Sequence, residues 1–330
     1  MLKKYWIYIF ISLISIAILW LIKADTKSSI IKDNKFAIEE IFSITKIFLA
    51  DRNGNTITLT QHLDSIVDPR GCVEWKETWI VNNQFIVRKD AITTLLSTAN
   101  KIRIKKPVSN TAFENVVKYM ATTGVLIEFF ANDKMVKSYT IGSNTPDHLG
   151  TYMLLKGRKK PFVVHIPSFN GFLSPRYGIQ GNSLDVTNWR STTVFNLSLE
   201  AINHIKYTDY LDPEKSYFLK TNPFKLISSN HKSVLFNNKK VLKLLNSFEN
   251  LNCETFKKQK HNIEFLTQLE ELVVNSDTLR TYQISEAVIK TKEDNFTVAR
   301  KYATLNNGDL MLIQDYVFNK VLINITELIE

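Results

Sequence analysis

The chain has 330 residues, 44% of them hydrophobic with 20 Phe, so it can fill one large or two ordinary domain cores and is not a disordered polymer. Its two cysteines, Cys72 and Cys253, exclude a disulfide scaffold and a four-thiolate zinc site, leaving one long-range disulfide open. The formal charge of +10 raises nucleic acid as a partner, but no nucleic-acid module surrounds the basic clusters at 103–106, 156–160 and 257–260. Those clusters read as solvated turns of a lysine-rich surface, with attraction to anionic headgroups or envelope polymers as a weaker use.

The first element is the uncharged run Tyr5 to Ile22, behind Lys3 and Lys4. As a helix at about 1.5 Å per residue it matches the hydrocarbon thickness of a bilayer. Tyr5, Trp6 and Trp20 fall near its ends, where amphipathic rings favour the headgroup level. A cleaved signal peptide is the competing reading, but its apolar core is shorter, about 7–15 residues, and here only Ile22-Lys23-Ala24 stands as a poor cleavage site. The expectation is therefore a transmembrane anchor at 1–23, in contact with the lipid bilayer through Tyr5 to Ile22. Lys3, Lys4 and the amino terminus, against Lys23 and Lys27, favour the N-inside orientation. That puts the chain in the inner (cytoplasmic) membrane as a single-pass protein, with its body in the periplasm or outside.

A polar linker, 24–42, follows, and the body then reads twice over. Ile44 to Asp51 aligns with Ile202 to Asp209, each alternating apolar and polar residues as a half-buried strand does. Both lead through a turn to a second strand, 56–60 and 216–220. A helix comes next, with Ala91, Ile92, Leu95, Leu96 and Ala99 on one stripe, matched by Val241, Leu242, Leu245 and Phe248. Phe113, Val116, Val117 and Met120 mark a second helix stopped at Gly124, with its counterpart expected around 263–272. Strands return at 125–130 and 136–141, and at 272–274 and 279–284. The closing hairpins, 152–155 with 162–166 and 302–305 with 310–313, also correspond. The expected fold class is α+β: two tandem repeats with mainly antiparallel sheets, at 43–190 and 191–330.

Between them runs the long connection 167–189, which carries Phe169, Phe172, Arg176, Tyr177 and Trp189. Long loops are often functional, and aromatic and arginine side chains dominate binding hot spots. These five residues are the candidate partner-binding set, and the competing reading packs the rings across the junction of the repeats.

No enzymatic chemistry emerges. The six histidines show no zinc-helix spacing and no HExxH, His165 and His204 lie in strands, and neither P-loop nor GxGxxG occurs, so neither a cofactor nor a metal site is expected. There is no GxSxG elbow, and Ser174 lacks a nearby base. Asp147-His148 reads as a polar turn, as do Asp209 and Asp212, where Asp is favoured for local backbone hydrogen bonds. Asp64-Ser65-Ile66 and Asp277-Thr278-Leu279 match a short bacterial O-glycosylation tripeptide, a pattern that chance supplies readily.

The segments Lys46 to Gly54, Trp79 to Asn82, Arg88 to Leu96, Gly150 to Leu155 and Trp189-Arg190 before Val194-Phe195 resemble the DUF4340 family, over most of the chain after the anchor. The resemblance implies an N-terminal transmembrane helix and a repeated α+β exported region, with the second half more diverged. Some members look like companions of Gld-type ABC transporter subunits. It implies no functional residues. The expectation is a non-enzymatic accessory or scaffold subunit of an envelope assembly, with a membrane or envelope protein as its partner and no nucleic acid. The alternative is an envelope enzyme or carbohydrate-binding protein acting on cell-wall or surface polysaccharide.

Overall fold

The computed structural model describes residues 12–16, 36–67, 73–257, 263–284 and 299–329. The expected anchor lies outside them apart from 12–16, an exposed helical turn, and among the described residues no helix is long and apolar enough to cross a membrane. Cys72 also lies outside them, whereas Cys253 is buried in a core. The chain divides into two compact units, Met1–Ser191 and Thr192–Glu330.

The first unit holds the strands β1 (Lys46–Ala50), β2 (Thr56–Val67), β3 (Val73–Val81) and β4 (Phe85–Ile86), then helix α1 (Lys89–Lys101), β5 (Arg103–Pro107) and helix α2 (Asn110–Thr123). It continues with β6 (Val125–Ala131), β7 (Lys134–Asn144), β8 (Thr151–Leu155), β9 (Phe162–His165) and the short pair β10 (Ile179–Gln180) and β11 (Ser183–Leu184). Nine of these strands form one sheet in the order β4-β3-β2-β1-β6-β7-β8-β9-β5, antiparallel throughout.

Alternation decides which face is buried. Ile47 and Leu49 of β1, Leu59 of β2, Val81 of β3, Ile127 and Phe129 of β6 and Tyr139 of β7 turn inward with essentially no exposure. They meet Ile92, Leu95 and Ala99 of α1 in a single core. Phe36 and Ile38 join it, and Ile38 is tied to α1 by Ile38 N–H to Ala99 O at 3.0 Å and Asn100 Nδ2 to Ile38 O at 2.8 Å. The end of the expected linker is thus part of this unit, because two bulky side chains there find a buried place. Helix α2 takes the opposite face of the sheet. Its Met120 packs on Gly142, which alternates with the core-facing Ile141, and a Cβ at Gly142 would lie 2.7 Å from Met120 Cγ.

The second unit contains β12 (Thr193–Phe195), β13 (His204–Asp209), β14 (Tyr217–Thr221), β15 (Phe224–Ser228), β16 (Ser233–Val234), helix α3 (Asn238–Asn246), β17 (Leu251–Asn252) and β18 (Thr255–Phe256). It ends with β19 (Gln268–Val274), β20 (Asp277–Tyr282), β21 (Arg300–Leu305), β22 (Met311–Gln314) and the helical turns α4 (Asp315–Phe318) and α5 (Ile325–Leu328). Its sheet runs β16-β15-β14-β13-β19-β20-β21-β22-β18, which is the order of the first sheet element for element. Central strands also match in register: Ile47 faces Leu59 and Ile205 faces Leu219, all four buried.

The copies differ in two places, and one basic cluster is not where the sequence suggests. Where a second helix is expected around 263–272, there is one 3-10 turn, Ile263–Phe265, and then β19, because the apolar residues Leu272 and Val274 alternate with period two. The basic run 103–106 is not a turn but lies in β5, an edge strand paired only with β9, where charge is tolerated. Finally, β2 and β3 are far longer than β14 and β15. Beyond the positions that β1 and β4 pair, they continue as a two-stranded ribbon from His62↔Thr78 outward.

Candidate functional site

The connection 167–189 is not a free loop. It forms a 3-10 turn at Ser174–Tyr177, the β10–β11 hairpin and another 3-10 turn at Val186–Asn188. Leu173, Tyr177, Ile179, Leu184 and Trp189 enter the first core. Two members of the proposed partner-binding set are therefore interior residues, Tyr177 at 0% and Trp189 at 1% exposure, and burial removes them from any docking surface. Their buried neighbours belong to the first core. The Tyr177 hydroxyl shares a 2.8 Å hydrogen bond with that of Tyr139, and burial pushes both phenols well above their ordinary value. Phe169, Phe172 and Arg176 are half-buried: Arg176 stacks on Phe169 at 4.9 Å, and Phe172 packs on His148 at 6.0 Å.

This segment closes over the amino end of α1. The Arg88 N–H donates to Trp189 O at 2.8 Å, Val87 bridges Arg190, and the Ser191 N–H donates to Ile86 O, so the chain covers the open edge of β4. Gly178, at φ +65°, lets the indole of Trp189 lie directly on the backbone, where a Cβ would be 2.5 Å from its Cζ2. Between the helix end and the segment is a cleft of about 230 Å³, lined by Arg88, Asp90, Ala91, Thr94, Pro175, Arg176, Gly178, Gln180, Asn188 and Trp189.

Its lining sets the guanidinium groups of Arg88 and Arg176 beside the acceptor oxygens of Asp90, Thr94, Gln180 and Asn188. Arg176 gives Nε to Thr98 Oγ1 at 2.8 Å, which fixes its guanidinium plane. Arg88 holds Asp90 at 3.3 Å through Nη2, and its buried Nε has no protein acceptor. The buried Trp189 Nε1 has none either. Arg88 also stands at the N-cap of α1 and, unlike Ser, Thr, Asp or Asn, gives its side chain no way to accept from the first-turn amides.

The second unit provides an internal comparison. Asn237, preceding α3, donates its N–H to Leu328 O at 2.8 Å, as Arg88 does to Trp189 O. Its side chain then accepts from Lys239 N and Lys240 N, closing that helix end. The sequence carries a signal for this helix end: Val87-Arg88-Lys89-Asp90 opens a helix without a capping residue where the second copy has Asn237.

The other sequence candidates resolve into structural roles. Asp147 accepts from the Thr145 hydroxyl and the Leu149 N–H, which hold its carboxyl below the ordinary range, while His148 pairs with Asn144 rather than with Asp147. Asp209 accepts from the amides of Leu211 and Asp212 within its turn. His165 is held below its ordinary pKa, first by burial and then by the Lys105 charge, and His204 stacks on Phe218 at 5.7 Å. Among the described residues no group of three or more His, Cys, Asp or Glu side chains is arranged to hold a metal ion.

No curated protein and no solved structure matches the chain. The family model described as a domain of unknown function (DUF4340) matches residues 79–271, more than half of the chain, from inside β3 to inside β19. That span takes in α1, the whole cleft and the strands that close the first sheet, and on it the chain belongs to the DUF4340 family.

Proposed function

We propose that the protein is a membrane-anchored, non-enzymatic scaffold or accessory subunit of an envelope assembly, held in the inner membrane by Tyr5 to Ile22 with its body on the far side. A Gld-type ABC transporter is the assembly that the family resemblance favours.

One surface observation supports the reading, and it lies on the β2–β3 ribbon. Opposed residues of an antiparallel pair share a face, so Leu59 and Val81, both buried, lie on the same face as Gln61↔Trp79, Leu63↔Glu77 and Ser65↔Trp75. The core-facing side thus runs past the end of the core, with large apolar residues set among Gln61, Ser65 and Glu77. Leu63, Trp75 and Val73 are left 58%, 70% and 56% exposed on strands that extend beyond the sheet. On the opposite face the pairs His62↔Thr78 and Asp64↔Lys76 are polar. A two-faced ribbon with an uncovered tryptophan is suited to a protein partner, and we assign it to a membrane subunit of the same assembly.

The test is purification of the full-length protein in mild detergent beside a Leu63→Ser/Trp75→Ser variant. The expected result is a membrane transporter subunit in fixed stoichiometry with the wild type and absent from the variant. Recovery of the protein alone, or a subunit retained equally by both, would overturn the assignment.

A further inference from the structure

We infer that the end of the first sheet formed by the β6–β7 and β8–β9 turns is a membrane-contact surface, which rests on the anionic lipid headgroups of the bilayer that holds the anchor. The inference builds on the anchor assigned to Tyr5 to Ile22 and adds a second, electrostatic hold.

Strand register gathers the charges. Phe130 of β6 pairs with Lys46 of β1 and with Met135 of β7, so the turn 132–133 closes this end of the sheet. Leu155 of β8 pairs with Tyr139 of β7, and Phe162 of β9 with Met153, so the turn 156–161 closes the same end. Positions 132–137 and 156–160 carry Lys134, Lys137, Lys156, Arg158, Lys159 and Lys160 against one acid, Asp133. Pro107 pairs with Phe162 and brings Lys106, from a separate basic run, to the same place. All of these cations except the half-buried Lys137 are exposed. Glu128 offsets one of them by holding Lys156 at 2.9 Å. The hairpin turns at the other end, 51–54, 82–84 and 145–150, carry Arg52 against Asp51 and Asp147. One end of the sheet is therefore cationic, and such an end is drawn to an anionic surface.

The β2–β3 ribbon leaves from the same end and carries Asp64, Glu74 and Glu77 with Lys76. It stands apart, because β1 and β6 separate β2 from β7. Three strand spacings of about 4.8 Å exceed the Debye length of about 8 Å at physiological salt, so the ribbon's acids do not cancel the patch.

The second observation is where the chain from the anchor enters. Phe36, the first described residue after 12–16, packs on Tyr139 at 5.9 Å and on Phe162 at 6.2 Å. Those two residues flank the basic turn, since Tyr139 pairs with Leu155 and Phe162 opens β9. Only residues 23–35 separate Ile22 from Phe36, and a chain of that length reaches at most about 45 Å. The bilayer is thus always near the cations, and a weak attraction acts as an intramolecular one. Apolar side chains stand among the charges: Met135 and Val136 are 42% and 41% exposed and line, with Leu155, Lys137, Lys156 and Arg158, a groove of about 320 Å³. Apolar groups beside cations suit the boundary between headgroups and acyl chains.

The experiment is amide hydrogen exchange on the full-length protein in nanodiscs, one set of phosphatidylcholine and one of phosphatidylcholine mixed with phosphatidylglycerol. The amides of 132–137 and 156–160 are expected to exchange severalfold more slowly in the anionic discs, while those of 51–54 and 145–150 exchange alike in both. Raising the salt to about 0.5 M should remove the difference, because the Debye length then falls to about 4 Å. Lys134→Gln/Lys159→Gln/Lys160→Gln, which alters three exposed side chains outside the core, should remove it at low salt. Equal exchange in the two kinds of disc overturns the inference, as does protection that the variant retains. Protection by added dextran sulfate in neutral discs, with none from phosphatidylglycerol, also overturns it and gives the patch to an envelope polymer. The same samples test the anchor separately. Protein that stays with the discs without lipid-dependent protection refutes this surface alone, whereas protein that leaves both kinds of disc refutes the anchor and this surface with it.

Discussion

Asp51 shows how one carboxylate joins parts of the chain that are far apart in sequence. It stands just after β1, is 8% exposed, and accepts from the amides of Asn53, Asn55 and Leu184 and from the Asn55 side chain, at 2.8 to 3.0 Å. The bond to Leu184 fastens the β10–β11 hairpin, and with it the roof of the cleft, to the first strand. Burial pushes its pKa up, but the hydrogen bonds from Asn55, Leu184 and Asn53 outweigh that and leave it below 3.8. A depressed folded pKa means that the stability it contributes is fully present above the unfolded value and is lost as pH falls through the folded one. Asp51→Asn is therefore expected to lower the urea midpoint clearly at pH 7, and by less and less as pH falls through the folded pKa and the wild-type carboxyl takes up its proton too. An equal gap at every pH would show that charge is not what matters there. Asp209, the aligned residue of the second copy, keeps its bonds within its own turn, so equivalent residues carry different loads.

At the scale of elements, the ribbon and α1 are instructive opposites. Helix α1 seats Leu95 and Ala99 in the core, whereas among the described residues the outer ribbon pairs, strand to strand, with itself alone. Leu63→Ser/Trp75→Ser is accordingly expected to change unfolding free energy by no more than about 0.5 kcal/mol per site, measured by urea melts, despite the loss of two large apolar side chains. A loss of several kcal/mol would mean that the ribbon is covered within the folded chain. Most elements were legible because their patterns are local: the period of two in Ile47 and Leu49, and the helical stripe of Ile92, Leu95 and Ala99. The ribbon was not, because Gln61 to Ser65 has no apolar alternation strong enough to extend a strand, and its register depends on β3 across the hairpin. The connection 167–189 is illegible in the sequence for a related reason. Its short turns have no period, and the burial of Tyr177 and Trp189 follows from α1 and β7, which periodicity within the segment does not encode. Similarly, the donors of the cleft come from 88–91 and 175–189, which only the fold brings together.

For the whole molecule, the principal fact is that one strand order occurs twice with separate cores. No residue of the first large core belongs to the second. Phe248, wholly buried and edge-on to Phe195 at 5.5 Å, belongs to the second alone. Phe248→Ala should cost about 3–5 kcal/mol there, read as faster amide exchange in α3 while the amides of α1 keep their protection. Loss of protection in both helices would show that the units unfold as one.

The shared strand order also governs how each sheet is completed. Strands β1 to β4 and β6 to β9 are hairpin meanders, but the seam between them pairs Lys46 with Phe130, and in the second unit Ile205 with Val274. During synthesis, β1 must wait for about eighty further residues before its second edge is hydrogen-bonded, longer than β13 waits for β19, and pairing over such separations is slow. Until then Ile47, Phe48 and Leu49 form an apolar strand with an open side, which is a template for the wrong neighbour. The time when this protein is most exposed to aggregation is therefore set by the length of chain between β1 and β6, and not by the stability of the finished sheet.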